Sequence, residues 1–118
     1  MKKTILFIDD EKYYQEVYGK LLETEYELTY CDNGEEALKV LNTKTFDLLI
    51  VDLVMPIMSG KRLLEQIGHN LKSKLIVLTT LEGDTDKEDA LDNGANEFLV
   101  KNDTTPKKLL EYVKKIIE

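Results

Sequence analysis

The stretch Phe46-Asp47-Leu48-Leu49-Ile50-Val51-Asp52-Leu53-Val54-Met55-Pro56 decides how this chain folds. Its four central residues, Leu48, Leu49, Ile50 and Val51, are all apolar, so a strand built from them needs cover on both faces. That is the pattern of a strand inside a parallel sheet, because a strand with one wet face alternates apolar and polar residues. Asp52 interrupts the run, where an unpaired buried carboxylate is costly, and therefore asks for a chemical explanation.

Outward from this segment, residues 5–8 and 75–80 repeat the nearly continuous apolar pattern. Residues 27–31 and 97–101 complete a set of five expected strands, the central one covering 46–53. Helical periodicity fills the gaps: Tyr14, Val17, Tyr18 and Leu21 share one stripe, Ala37, Leu38 and Leu41 a second, and Leu63, Leu64 and Ile67 a third. The fourth helix is expected to begin near Asp84 and Thr85, with Thr85 and Glu88 fitting a capping box, and to end at Asn93-Gly94. The fifth opens with Thr105 as N-cap and Pro106 as its first residue, then repeats Leu109, Leu110, Val113, Ile116 and Ile117. Strict strand-helix alternation through five units predicts an α/β fold: a doubly wound five-stranded parallel sheet with five helices on its two faces.

The 118 residues fit one domain spanning 1–118, and 42% hydrophobic with 33% charged residues is the mix of a folding globular chain. Residues 5–8 are too short an apolar run for a signal peptide, and no stretch approaches the roughly 18 apolar residues of a membrane span. The lone Cys31 makes no internal bridge and reads as a small hydrophobe. A cytoplasmic location with no membrane partner is the expectation. A net charge of -7 and a single arginine, Arg62, disfavour a grip on nucleic acid but suit carboxylates gathered around a divalent cation.

In open α/β sheets the functional crevice lies beyond the carboxyl ends of the strands. Those ends carry Asp9 and Asp10, then Asp52, Thr79 and Thr80, and Lys101. Each has a plainer reading alone: Asp10 as N-cap of the first helix, Thr79 as a β-branched strand residue, Lys101 as a solvated strand-end lysine. Together they are more demanding. Carboxylates about 4 Å apart repel by roughly 4 kcal/mol per pair at an effective dielectric near 20. Three such charges balance one lysine plus one doubly charged ion, and an all-oxygen ligand set selects magnesium, with manganese the alternative, over zinc. A site of this kind suits phosphoryl transfer, with a carboxylate as nucleophile.

At these residues the chain resembles the receiver domain of two-component response regulators, over nearly its full length. The likeness is carried by Ile8-Asp9-Asp10-Glu11, Asn33-Gly34-Glu35-Glu36-Ala37-Leu38, Asp52-Leu53-Val54-Met55-Pro56 followed by Gly60, Val77-Leu78-Thr79, Gly94-Ala95, and Phe98-Leu99-Val100-Lys101. The resemblance implies a flavodoxin-like sheet in the order 2-1-3-4-5, an order for which a chemotaxis receiver serves as a standard example. It implies that Asp52 is the phosphoacceptor, that Asp10, Asp52 and the Val54 carbonyl bind Mg2+ directly, and that Asp9 holds the ion through water. Lys101 then pairs with the phosphoryl group, Thr79 moves toward it, and Phe98 turns inward as the aromatic switch. The implied partners are a sensor histidine kinase or phosphotransfer protein and a downstream protein target. Output is expected on the surface of the fourth helix, fifth strand and fifth helix, with Phe98 and Val100 reporting there.

Two departures from the family pattern matter. Asn102 stands where a proline in a cis bond normally follows the lysine; a cis bond before a non-proline residue costs about 2.5 to 4 kcal/mol, so a trans bond is predicted. Val54 and Leu81, two past the acceptor and two past the threonine, are both apolar, which predicts a dry site and slow self-dephosphorylation. His69, the only histidine, reads as a surface-loop residue, and Lys107, Lys108, Glu111 and Lys114 as a solvated helical face. The competing functions are a constitutive docking module that keeps the fold without the phosphoryl chemistry, and an enzyme such as an aspartyl-phosphate hydrolase or a flavin protein. No separate general acid and no Ser/Thr/Gly-rich loop after the first strand supports the enzyme, so the expectation is a switch acting only on its own phosphorylation and dephosphorylation. The last apolar helical position, Ile117, lies one residue from the end, so no output domain is expected within these residues.

Overall fold

The computed structural model describes residues 1–118 apart from the side chain of His69, so the expectation for that side chain lies outside the described residues. Strands β1 (Thr4–Ile8), β2 (Glu27–Cys31), β3 (Leu48–Val51), β4 (Lys74–Thr79) and β5 (Glu97–Val100) alternate with helices α1 (Lys12–Leu22), α2 (Gly34–Leu41), α3 (Gly60–Ile67), α4 (Asp84–Asp92) and α5 (Pro106–Ile117). All strand pairs are parallel, in the order β2-β1-β3-β4-β5. The order reverses between β1 and β3, which makes their carboxyl ends the switch point of the sheet.

The side-chain alternation of β1 divides the core. Leu6 and Ile8 pack with Leu49, Val51, Leu75 and Val77 beneath Ala37, Leu63, Leu64 and Ala90 of α2, α3 and α4. Ile5 and Phe7 pack with Leu48, Ile50, Ile76 and Leu78 beneath Tyr18 and Leu22 of α1 and Leu109, Val113 and Ile117 of α5. Every residue of β3 is buried, as its unbroken apolar run requires.

Several sequence expectations shift here. Pairing ends at Val51, so Asp52 stands one residue beyond β3, and the 46–53 strand is shortened at both ends. The buried face of α1 is Gln15, Tyr18, Gly19 and Leu22, with Leu21 only partly covered. Helix α1 begins after Glu11, which makes no side-chain cap bond, so Asp10 is not the N-cap. At α4 the N-cap is Gly83, again without a side-chain bond, and the Thr85–Glu88 box does not form because Thr85 already lies inside the helix. β1 and β4 each start one residue earlier than expected, at Thr4 and Lys74, and β4 ends at Thr79 and β5 at Val100, so Thr80 and Lys101 lie just past their strands. The expected start of α5 and stop of α4 hold: Thr105 accepts the Lys108 N–H with Pro106 following, and Gly94 takes φ 100° just past α4, a conformation open to glycine. Among the described residues no peptide bond is cis, so Lys101–Asn102 is trans as predicted. Cys31 is 1% exposed, and burial, with Glu36 adjacent, pushes its thiol up to about 12.

Candidate functional site

The strand register sets the site. Ile8 pairs with both Cys31 and Val51, and the ladder extends one step when the Asp9 N–H donates to the Cys31 carbonyl and the Asp52 N–H to the Ile8 carbonyl, each at 3.0 Å. Asp9 and Asp52 thus leave adjacent parallel strands at the same level. The next turn holds Asp10, and one carboxylate oxygen from each of Asp9, Asp10 and Asp52 lies within 4.8 Å of the others. Asp9 and Asp52 are buried while Asp10 is the most open of the three, so the cluster opens to solvent on one side. Gly60 is required beneath it, because a Cβ there would collide with the Asp52 carbonyl.

Lys101 closes the inner side. It begins a short 3₁₀ turn, Lys101–Asp103, directly after β5, and its ammonium lies 2.7 Å from Asp9 Oδ2 and 3.1 Å from Asp52 Oδ2. The Lys101 side chain is only 1% exposed, so this pair of contacts satisfies a charge cut off from water. Burial alone lowers the Lys101 pKa, but the Asp9 hydrogen bond and the charges of Asp52 and Asp9 outweigh it, and the net direction is up. Burial dominates at Asp9 and raises its pKa, the Lys101 hydrogen bond offsetting this only in part. The second oxygens are also engaged: Asp9 Oδ1 accepts the Glu11 N–H at 2.9 Å and Asp52 Oδ1 the Val54 N–H at 3.2 Å.

Thr79 ends β4 fully buried, opposite Val100 in register, and its hydroxyl accepts the Leu81 N–H at 3.4 Å. Phe98, paired with Val77, is half-buried against the core on the α2–α4 side. Val54 is 53% exposed and Leu81 half-buried, so the apolar pair borders the site without enclosing it, and the expectation of a dry site is corrected in that respect. The structure therefore brings Asp9, Asp10, Asp52 and Lys101 together, with Thr79 on the neighbouring strand end.

Four participants escape a reading by strand ends. Tyr14 places its ring 3.7 Å from the Lys101 ammonium, a cation–π contact. Gln15 donates to the Asp9 carbonyl at 2.7 Å and to Asp32 Oδ1 at 3.0 Å. Tyr18 donates to the Thr104 carbonyl at 2.6 Å and lies 3.3 Å from the Lys101 carbonyl, while Thr104 Oγ1 donates to the Val100 carbonyl at 2.8 Å. The only sequence signal for the three α1 residues is their presence in the first two turns after Asp10, where periodicity alone marks Tyr14 and Tyr18 as packing residues.

The donor set fits a hard divalent cation. Its ligand atoms are all carboxylate oxygens, and three carboxylates with one lysine leave two negative charges uncompensated.

The model of the response regulator receiver domain family matches residues 5–114. Among curated proteins, the response regulator GtcR of Aneurinibacillus migulanus is 34% identical over 102 residues, covering 86% of this chain and 42% of the relative. The probable transcriptional regulator ycf27 of Cyanidium caldarium is 34% identical over 98 residues, covering 82% of this chain and 39% of the relative. The chain thus spans about two fifths of the length of these relatives. Among solved structures, a CheY-like response regulator receiver domain protein from Methanospirillum hungatei JF-1 superposes with a TM-score of 0.89 at 29% identity, covering 98% of this chain and 93% of that one. Five parallel strands in the order 2-1-3-4-5 with five helices are the flavodoxin-like fold of that neighbour. From the family match across nearly all of its length, this chain belongs to the response regulator receiver domain family.

Proposed function

We propose that residues 1–118 form one receiver domain that acts as a phosphorylation-controlled switch, with Asp52 as the phosphoacceptor and a sensor histidine kinase, phosphotransfer protein or small phosphodonor as the source. Receiver domains are signalling domains of phosphorylation-based two-component systems, and they normally use Mg2+. The observation that carries the assignment is the buried Lys101 ammonium bridging Asp9 and Asp52 beside the more open Asp10. A docking module has no need to maintain three carboxylates at this separation.

In the proposed reaction an Asp52 carboxylate oxygen attacks the donor phosphorus, the bond from phosphorus to the donor group breaks, and its electron pair leaves with the donor. The product is an aspartyl phosphate. Lys101, already 3.1 Å from Asp52 Oδ2, pairs with a phosphoryl oxygen, and the Thr79 hydroxyl donates to another. Asp10, Asp52 and the Val54 carbonyl would hold the magnesium ion directly and Asp9 through water; when bound it supplies positive charge to the phosphoryl oxygens. Movement of Thr79 toward the phosphoryl group frees space for Phe98 to turn inward, altering the face of α4, β5 and α5 that a downstream protein reads. The side chains of Val54 and Leu81 offer an attacking water no polar group, which supports slow loss of the phosphoryl group. No helix is long and apolar enough to cross a membrane among the described residues. With the acidic charge this supports a cytoplasmic domain without nucleic-acid contact of its own.

Intact-mass measurement after incubation with acetyl phosphate and magnesium tests the assignment. One phosphoryl group is expected on the wild type, and none with a chelator or with Asp52→Asn. An unchanged wild-type mass in the complete reaction favours the constitutive docking module.

A further inference from the structure

Lys101 carries four rotatable side-chain bonds and ends in a charge that has to be aimed between two carboxylates. Its ammonium has three N–H donors. Asp9 Oδ2 and Asp52 Oδ2 account for two acceptors, and among the described residues no third oxygen accepts from it. The Tyr14 ring lies 3.7 Å from the nitrogen instead. A ring face is a directional partner for a cation, and most effective where water is excluded, as it is at a lysine side chain only 1% exposed.

Tyr14 is itself held. It stacks on Tyr18 one helical turn later, with centroids 6.1 Å apart and planes at 24°, and meets Tyr13 edge-on at 5.3 Å. Tyr18 in turn donates its hydroxyl to the Thr104 carbonyl and reaches the Lys101 carbonyl at 3.3 Å. One face of α1 therefore touches Lys101 at both ends: Tyr18 at the backbone, Tyr14 at the ammonium. The backbone end is further restrained by the Thr104 N–H donating to the Lys101 carbonyl at 3.2 Å.

From this geometry we propose that Tyr14 is a positioning residue for Lys101, its ring face directing the ammonium toward the oxygens of Asp9 and Asp52. The consequence for phosphorylation rests on the function proposed above; the positioning itself does not. Loss of the ring face leaves the ammonium free to swing away from Asp52, and the fraction of molecules with a correctly placed cation falls.

The discriminating variants are Tyr14→Phe, which keeps the ring, and Tyr14→Leu, which keeps apolar bulk without a π face. Two readouts are taken. The first is the side-chain NMR of Lys101 without phosphodonor: a proton or carbon next to an ammonium over a ring face is shifted upfield by the ring current. The shift is expected in the wild type and in Tyr14→Phe and is lost in Tyr14→Leu. The second is the initial rate of phosphorylation by acetyl phosphate with magnesium, expected to stay within about twofold for Tyr14→Phe and to fall about thirtyfold for Tyr14→Leu, the scale of a desolvated cation–π contact. Thermal melts of all three proteins confirm that the comparison is between folded chains. If Tyr14→Leu leaves the Lys101 resonances where they are in the wild type, the proposal is overturned, whatever the rate does. If the resonances move but the rate does not, Tyr14 packs against Lys101 without positioning it, and the proposal is likewise overturned. A wild type that takes no phosphoryl group sinks the functional reading alone; positioning is then read from the exchange of the Lys101 ammonium protons with water, expected to be slow in the wild type and in Tyr14→Phe and faster in Tyr14→Leu, and equal exchange in all three overturns the proposal.

Discussion

Ile57 is 77% exposed and has φ 66°, the one non-glycine residue with a positive φ among the described residues. The Met58 N–H donates to the Pro56 carbonyl at 2.7 Å across it, which makes a γ-turn of the strained hand. A β-branched side chain in that region is strained by about 1 to 3 kcal/mol, and glycine gives back about 0.5 to 1 kcal/mol through the greater freedom of its unfolded chain. Ile57→Gly is therefore expected to raise stability by about 1 kcal/mol, because so exposed a side chain contributes little burial. Urea denaturation measures this, and a lower midpoint for the variant would show the turn to be relaxed. The strain lies in the loop between Asp52 and Gly60, where the chain must leave β3 and re-enter the core under the Asp52 carbonyl.

Helix ends are where elements of this fold differ most from their sequence signals. Thr105 and Thr85 both precede charged helical segments, and both read as capping residues. Only Thr105 acts as one, accepting the Lys108 N–H at 3.1 Å, whereas Thr85 lies in the first turn of α4 with Gly83 at the cap. Thr105→Ala is expected to lower stability by about 1 kcal/mol, the ordinary cost of a lost cap, and Thr85→Ala to be neutral or slightly stabilising, since alanine is the better helix former. Equal losses in the two variants, read from denaturation midpoints, would restore the capping box that the structure dissolves. The same kind of local shift explains α1: the stripe through Leu21 and the one through Leu22 differ by one residue, and packing on Phe7 and Leu48 selects the second.

At the scale of the molecule, the sheet order places β1 beside β3 and so turns two separated acidic segments into one cluster. Three carboxylates against one lysine make the site an internal source of repulsion that a divalent cation relieves. Magnesium is expected to raise the thermal midpoint, by about 2.7 kcal/mol in stability at a concentration 100 times its dissociation constant. Asp10→Asn should act with opposite signs in two conditions. Without metal it removes one repelling charge and raises the midpoint; with magnesium it loses most of the gain. Calorimetry with and without chelator checks both arms, and a full magnesium response in Asp10→Asn would remove Asp10 from the ligand set.

What the sequence determined by itself was the element order, the parallel sheet and the members of the site that sit at strand ends. Apolar runs of three or more residues and helical periodicity are local signals, and Asp9, Asp10, Asp52, Thr79 and Lys101 are marked by where those runs stop. The tertiary structure alone decided what surrounds Lys101. Whether Tyr14 faces solvent or the ammonium, and whether Gln15 reaches the Asp9 carbonyl, depends on how α1 rotates on the sheet, and a stripe of tyrosines at helical spacing fits either outcome. That rotation is set by the fit of Tyr18 and Leu22 between β1 and α5, elements nearly a hundred residues apart in the chain, which no window of local sequence contains.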